Sequence, residues 1–268
     1  MASTDIDGPA TPGWISMWSA ALAGAALFAA APAAAGWTAM NDIVGQTSTA
    51  TVVAGGNPLY IPPRPQYSGN VGILMDYGEA GAFVCSGSLI GGRSVLTAAH
   101  CVSDGTSARP LSTTVFFYGG PDDVVVYAGG PGVTQIGVTG ITVNSLYTGE
   151  VIDENDIAVL RLADFAPDYA PIYGLSGLTD LTGVEHIVAG YGARSLVGGE
   201  QGTLPGFGAG TGRLRYAGNR FEFRIGDPDF DGDLSADLGP APNGDVWLSD
   251  FDNGTAFRDQ SCNIAGLY

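Results

Sequence analysis

The sequence predicts an all-β fold, and three features support that class. The chain holds 42 glycines and 16 prolines beside many valine, threonine, tyrosine and phenylalanine residues, a composition that favours short strands and turns. Apolar runs of strand length recur at fairly even intervals, separated by turns of the Gly-Gly-Pro type. No stretch shows useful helical periodicity, heptads or an internal repeat. Evenly spaced short strands are typical of a barrel or a sandwich.

Length and charge bound the function. The 268 residues can form one large domain or two small ones with a sizeable core. The formal net charge is −17, and all the basic residues are arginines. Such a chain has no basic surface to neutralise phosphates, so nucleic acid is excluded as a partner. The acidic surface indicates solubility.

The N-terminal residues predict an export signal. Residues 1–35 contain an almost continuous apolar run, and Ala33 and Ala35 fit a signal-peptidase site. Asp5 and Asp7 stand where a signal has positive charge, so an uncleaved anchor is the alternative, and only that alternative would bring the protein to a membrane. We favour the cleaved signal. Residues 36–70, rich in proline and glycine, are predicted to be an irregular lead-in.

Six strands are predicted in the first half of the chain. Strands at 71–76 and 82–90 are joined by a turn at 77–81, and a third strand follows at 93–98. The others are expected at 113–118, 124–127 and 133–143. In the second half, a crossing segment at 163–182 leads to strands at 184–192 and 246–251. His186 is predicted to be a structural residue of the first of these two strands.

A histidine follows the third strand, in the run Leu-Thr-Ala-Ala-His-Cys at 96–101. A histidine that acts as a general base must reach a nucleophile and be held in one tautomer by a third group. His100, with small residues before it and Cys101 after it, is the candidate base. A buried structural histidine is the alternative.

A carboxylate begins the next apolar run, Asn-Asp-Ile-Ala-Val-Leu at 155–160. A carboxylate at the head of an apolar strand is costly to bury unless it is hydrogen-bonded. A group that accepts the proton-bearing nitrogen of a catalytic histidine is such a carboxylate. Asp156 is therefore the candidate orienter, the residue that holds the histidine ring in position. Asp153 and Glu154 are nearby competitors for that role.

These two runs resemble the histidine and aspartate motifs of trypsin/chymotrypsin-like serine endopeptidases. Asp156 lies in a run similar to the family's Asp-Ile-Ala-Leu-Leu, with valine for the first leucine, and the strand at 184–192 resembles the family's strand ending in Gly-Trp-Gly, with Tyr191 for the tryptophan. The resemblance implies that His100 is the base, Asp156 the orienter, and Cys85 and Cys101 a disulfide. It also implies a secreted or periplasmic enzyme that acts on proteins or peptides.

The fold implied by this resemblance is two antiparallel six-stranded Greek-key barrels within residues 71–268, the first at about 71–162 and the second at about 183–268. The family's Gly-Asp-Ser-Gly-Gly nucleophile run is absent, and Ser261 has the wrong spacing and no glycines. We therefore expect an incomplete second barrel, with the serine beyond Tyr268 and the chain as given inactive. Cys262 lacks an evident partner. A non-catalytic homologue that uses its barrels to bind a partner is the alternative.

An acidic run at 227–234 predicts a calcium site. Alternating aspartates with glycine in the sixth place match the start of a calcium loop, but Leu238 stands where the closing glutamate belongs. The candidate ligands are Asp227, Asp229, Asp231 and Asp233. A solvated acidic loop is the alternative, and a calcium-dependent adhesion module is a third functional hypothesis resting on this run alone. No other cofactor is expected.

Overall fold

The computed structural model describes residues 60–106, 109–150, 152–192, 194, 210–227 and 238–249. These residues form β-strands and short 3₁₀ turns, with no α-helix among them. The strands are β1 Asn70–Asp76, β2 Ala82–Gly91, β3 Ser94–Thr97, β4 Ser112–Tyr118, β5 Val133–Val143, β6 Ala158–Leu162, β7 Glu185–Gly190, β8 Arg215–Arg220, β9 Phe223–Arg224 and β10 Trp247–Leu248. Within the same ranges, no helix has the length and apolar character needed to cross a bilayer.

The first six strands close into an antiparallel barrel. The strand order is β1-β2-β3-β6-β5-β4, and β4 pairs back with β1. Closure leaves none of these strands with an unpaired edge. The all-β class and the first antiparallel six-stranded barrel predicted from the sequence are thus confirmed.

Alternating side chains fill the barrel. On β1, Val71, Ile73 and Met75 are buried while Leu74 faces the other side, as the period of two in a strand requires. Each buried apolar side chain of this size contributes about 1.5–3 kcal/mol to stability. The completely buried aliphatic and aromatic members of the same cluster on the other strands are Leu89, Val95, Val115, Phe117, Leu160 and Leu162.

One predicted strand is wrong. Residues 124–127 do not form a strand, and a 3₁₀ turn spans Val126–Ala128 instead. The amide of Val126 donates to the carbonyl of Gly212, far along the chain. This amide therefore bonds a loop residue and not a neighbouring strand. Gly129, at φ 68°, then turns the chain into the approach to β5. High β-propensity alone therefore does not produce a strand here.

The second half contributes two small antiparallel sheets within the described residues, β7 with β8 and β9 with β10. They fit the incomplete second barrel expected from the sequence. The sequence of β8, Arg-Tyr-Ala-Gly-Asn-Arg, has low β-propensity and was not predicted as a strand. Its pairing with β7 in continuous register, from Glu185 opposite Arg220 to Gly190 opposite Arg215, determines its conformation.

Tyr191 joins the second half to the first barrel. The residue is completely buried at the end of β7. Its amide donates to the hydroxyl of Ser86 at 2.8 Å, and its hydroxyl donates to the carbonyl of Asn70 at 3.3 Å. A second link is the pair of 2.8 Å bonds from the Arg215 guanidinium to the two carboxylate oxygens of Asp123.

His186 makes stability depend on pH. Its ring is buried in β7 and stacks on Phe221, with 4.0 Å between ring centroids. Burial lowers the pKa of His186 below its usual value near 6.5, and a bond to the backbone of Val184 only partly opposes this effect. The unfolded chain therefore binds the proton more readily, and this contribution to stability is lost as the pH falls below about 6.5.

We expect His186→Phe, which keeps the stacked ring but cannot titrate, to flatten the pH dependence of unfolding between about pH 7 and pH 5. The free energy of unfolding of the unsubstituted chain should fall more steeply than that of the variant, by at most about 1.4 kcal/mol per pH unit. Urea denaturation at several pH values measures both slopes. Equal slopes would contradict the assignment.

Candidate functional site

His100 lies in a turn delivered by β3. At the end of that strand, the Thr97 hydroxyl donates to the carbonyl of Ser86 on β2 at 2.9 Å, which fixes where the strand ends. A 3₁₀ turn then spans Ala99–Cys101. Ala99 is completely buried, and its small side chain lets the turn lie against the barrel. The turn therefore holds His100 at the mouth of the barrel.

Asp156 reaches the same end of the barrel from β6. Because β3 and β6 are antiparallel, with Thr97 opposite Ala158, the residues after β3 and before β6 lie together. Oδ2 of Asp156 lies 2.7 Å from Nδ1 of His100. Oδ1 of Asp156 accepts the backbone N–H of His100, also at 2.7 Å. The two residues predicted from separate motifs are thus in direct contact.

The imidazole ring is fixed through one nitrogen. Asp156 is only 7% exposed and, as a carboxylate, can only accept, so Nδ1 of His100 carries the proton that lies between them. None of the described residues forms a hydrogen bond with Nε2, and the side chain of His100 is 26% exposed. Nε2 can therefore exchange a proton with a group that approaches from outside the barrel.

The two competing carboxylates contact other groups. Oδ2 of Asp153 accepts the amide and hydroxyl of Thr148, at 2.9 and 2.7 Å. Oδ1 of Asp153 accepts the amide and side-chain amide of Asn155, at 2.8 and 3.1 Å. Oε2 of Glu154 accepts the amide of Asp245 at 3.1 Å. Among the described acidic residues, only Asp156 bonds His100.

Asp153 is ionised despite its burial. Burial opposes ionisation, but the bonds from the Thr148 hydroxyl and from the amides of Asn155 and Thr148 outweigh it and lower the pKa of Asp153. From the sequence, Asp153 was expected only as a competitor of Asp156. The Asp-x-Asn spacing of 153–155, typical of a side chain that caps its own turn, is the signal that could have revealed its role.

Tyr147 is a buried neighbour of these carboxylates. It is 6% exposed, and its hydroxyl has no hydrogen-bond partner among the described residues. Burial raises the pKa of Tyr147, and the negative charges of Asp156 and Asp153 raise it further. The phenol therefore stays neutral beside the site at any ordinary pH.

The predicted disulfide between Cys85 and Cys101 is present, with an S–S distance of 2.02 Å. It ties the residue after His100 to β2. The carbonyls of both cysteines also accept tyrosine hydroxyls, from Tyr127 at 2.9 Å for Cys85 and from Tyr77 at 3.2 Å for Cys101. The disulfide and the hydrogen bond from Tyr77 therefore both hold the turn that contains His100.

One side-chain cluster has the spacing of a metal site but not its chemistry. Ligand atoms of Cys85, His100 and Cys101 lie within 4.8 Å of one another. Both sulfurs are joined in the disulfide, so neither is the thiolate that binds a metal. This cluster is not a metal centre.

Several predicted residues lie outside the part of the chain that the structure describes. They are Asp229, Asp231 and Asp233 of the predicted calcium loop, Ser261, Cys262 and the residues up to 59. Asp227 is the one predicted calcium ligand that the structure describes. The calcium site and the leader therefore stay predictions.

Comparison with known proteins identifies one family. The sequence model of the family described as Trypsin matches residues 63–220, which include both His100 and Asp156. Solved structures similar to the chain include that of GrC, with 20% identity over 61% of this chain and 64% of GrC, and a TM-score of 0.45. Another is HL collagenase, with 22% identity over 61% of this chain and 62% of the collagenase, and a TM-score of 0.44. The chain thus spans less than two thirds of either structure. No curated protein matches the sequence.

Removal of the disulfide should destabilise the fold. We expect the double variant Cys85→Ala/Cys101→Ala to lose about 3 kcal/mol of unfolding free energy, because the bridge closes a loop across a sequence separation of 16. Denaturant titration of the oxidised chain and the variant measures the difference. The oxidised and reduced chains, compared in the same way, give the matched control. An unchanged midpoint in both comparisons would contradict the expectation.

Proposed function

The chain belongs to the trypsin family, and we propose that it is a serine endopeptidase in which His100 is the general base and Asp156 orients it. The pair of 2.7 Å bonds from His100 to the two oxygens of Asp156 carries this proposal. One bond fixes the ring and the other fixes the backbone beneath it. A structural histidine would need neither a second bond to the same carboxylate nor an open Nε2.

In the proposed reaction, Nε2 of His100 takes the proton of a serine hydroxyl as its oxygen attacks the carbonyl carbon of a peptide bond. The resulting imidazolium is stabilised by the carboxylate of Asp156. His100 then gives the proton to the leaving amine, the C–N bond breaks, and the acyl group stays on the serine. Water, activated by the same histidine, releases the acid and restores the serine.

The serine of this proposal lies beyond Tyr268. The chain has no Gly-Asp-Ser-Gly-Gly run, whose glycines supply the tight turn and the backbone amides that stabilise the oxyanion. The 268 residues alone should therefore be inactive. Proteins or peptides are the proposed substrates, because the family acts on them.

The proposal includes export from the cytoplasm. A disulfide between Cys85 and Cys101 persists in oxidising compartments and is rare where thiols are kept reduced. The apolar run within residues 1–35 supports the same conclusion as a cleaved signal. We propose a secreted or periplasmic protein. For the acidic run that begins at Asp227, a structural calcium ion and a solvated acidic loop stay as the two alternatives.

The missing serine run favours a second candidate, a non-catalytic homologue that binds a partner through its barrels. Against it stands the contact between His100 and Asp156, because a binding protein gains nothing from a buried carboxylate held against a partly exposed imidazole. The DNA that follows the codon for Tyr268 distinguishes the two candidates, because the protease requires a downstream sequence that encodes the serine.

We expect the reading frame to continue after Tyr268 and to encode a Gly-Asp-Ser-Gly-Gly run and at least one further cysteine. A serine-directed fluorophosphonate should label the longer protein at one site and leave residues 1–268 unlabelled, since only the former holds the nucleophile. Sequencing and mass spectrometry measure both. A genuine stop codon after Tyr268 would favour the binding homologue, and stoichiometric labelling of residues 1–268 would contradict the placement of the serine.

In the longer protein, His100→Ala and Asp156→Asn should each reduce kcat by several orders of magnitude. The first change removes the general base, and the second, expected to cost about 10⁴, leaves the ring without its fixed tautomer. The matched control is His186→Gln, which changes the other histidine of the chain at a buried site on β7. It should retain activity near pH 8 if it folds. Hydrolysis of a labelled protein substrate measures all three. Activity within tenfold of the parent in the Asp156 variant would contradict the assigned role.

A further inference from the structure

We propose that Asp153 is a positioning residue for the reaction, which holds the turn that presents Asp156 to His100. The inference rests on the proposed role of Asp156 as the orienter of His100. Asp153 contacts neither the histidine nor a substrate in this account. Its effect passes through the backbone of the three residues that follow it.

The carboxylate of Asp153 binds both ends of one loop. Its Oδ2 accepts two bonds from Thr148, where the loop begins, and its Oδ1 accepts two bonds from Asn155, where the loop ends. Asp153 is 5% exposed, so these four bonds replace the water that the carboxylate has lost. The loop therefore closes around a buried anion.

The closed loop continues directly into Asp156. The amide of Asp156 donates to the carbonyl of Asp153 at 3.0 Å, which forms a tight turn. The side-chain oxygen of Asn155 accepts the side-chain amide of Asn144 at 3.1 Å, and the amide of Asn144 donates to the carbonyl of Ile157 at 2.9 Å. These bonds hold the backbone of Asp156 in the position from which its carboxylate contacts His100.

The same loop also contacts the chain that follows His100. A side chain on Gly149 would lie 2.5 Å from the carbonyl oxygen of Asp104, and one on Gly105 would lie 2.4 Å from the amide nitrogen of Gly149. Both glycines have positive φ, 102° and 79°, so backbone packs directly against backbone. A shift of the loop at Thr148 would therefore also disturb the segment beyond His100.

A neutral amide cannot replace this carboxylate. Asp153 receives four N–H or O–H donors on two oxygens, and an amide offers one accepting oxygen and a nitrogen that only donates. In Asp153→Asn, the nitrogen would face either the donors of Thr148 or those of Asn155. At least two of the four bonds would be lost, and one end of the loop would be released.

Glu154 fastens the loop in a different way. Its amide donates to the carbonyl of Pro242 at 2.8 Å, and its carboxylate accepts the amide of Asp245. These bonds join the outside of the loop to the second half of the chain. They do not join Thr148 to Asn155, whereas the side chain of Asp153 does.

Amide hydrogen exchange of the 268-residue chain, resolved by NMR, tests the proposal without any need for peptide hydrolysis. The reporter is the amide of His100, which donates to Oδ1 of Asp156 and so exchanges faster when that carboxylate leaves its position. The variants are Asp153→Asn, Thr148→Val and Thr148→Ser. The matched control is Asp168→Asn, the same chemical change at an exposed aspartate. The amide of Ile73, in the centre of β1, reports global stability.

We expect the amide of His100 to exchange about tenfold faster in Asp153→Asn, with a smaller increase in Thr148→Val. Thr148→Ser, which keeps the hydroxyl, and the Asp168 control should match the parent at both amides. In Asp153→Asn and Thr148→Val the lost bonds also lower global stability, so the amide of Ile73 should exchange faster too, but by a smaller factor than the amide of His100. A parental rate at His100 in folded Asp153→Asn would overturn the proposal, and so would an equal rise at Ile73.

If Asp153→Asn does not fold, Thr148→Val decides the outcome, because Thr148 is exposed and its substitution leaves the core intact. A parental exchange rate at His100 in that variant would then overturn the proposal, and a rise at His100 that exceeds the rise at Ile73 would support it. Failure of the proposed function would appear separately, as a longer protein that neither hydrolyses peptides nor reacts with a fluorophosphonate.

Discussion

The antiparallel pairing of β3 with β6 is the contact on which the site depends. With Thr97 opposite Ala158, the turn after β3 and the turn before β6 open at the same end of the barrel. A shift of one residue would turn the side chains of either strand to the opposite face and expose Val95 or Leu160. The hydrophobic core therefore fixes the register, and the register brings His100 to Asp156.

Two buried carboxylates three residues apart show how the site solves a problem of charge. Each would be costly to bury without donors. Both oxygens of Asp156 bond His100, one through the ring and one through the backbone amide. One oxygen of Asp153 accepts the donors of Thr148 and the other accepts those of Asn155, and these bonds lower the pKa of Asp153. The two carboxylates therefore bind separate sets of donors, and each set holds its own turn in place.

The sequence predicted the parts of the molecule that depend on short runs. The candidates His100 and Asp156 each follow from residues within a few positions of one another, and the pairing of Cys85 with Cys101 follows from the family resemblance. Long-range partners decided the remainder. Residues 124–127 have the composition of a strand but bond to Gly212, and the polar run of β8 became a strand because β7 offered it a register. The Asp-x-Asn spacing indicates the bonds between Asp153 and Asn155, but the donors of Thr148 at the other end of the loop are seen only in the structure.

The most direct test of the account is the tautomer of His100, measured by long-range proton–nitrogen NMR at a pH where the imidazole is neutral. If Asp156 holds the ring as a catalytic base, the proton must lie on Nδ1 and Nε2 must be free to accept. We predict the Nδ1–H form in the parent chain and its loss in Asp156→Asn. A neutral ring protonated on Nε2, or a ring unaffected by the substitution, would contradict the account.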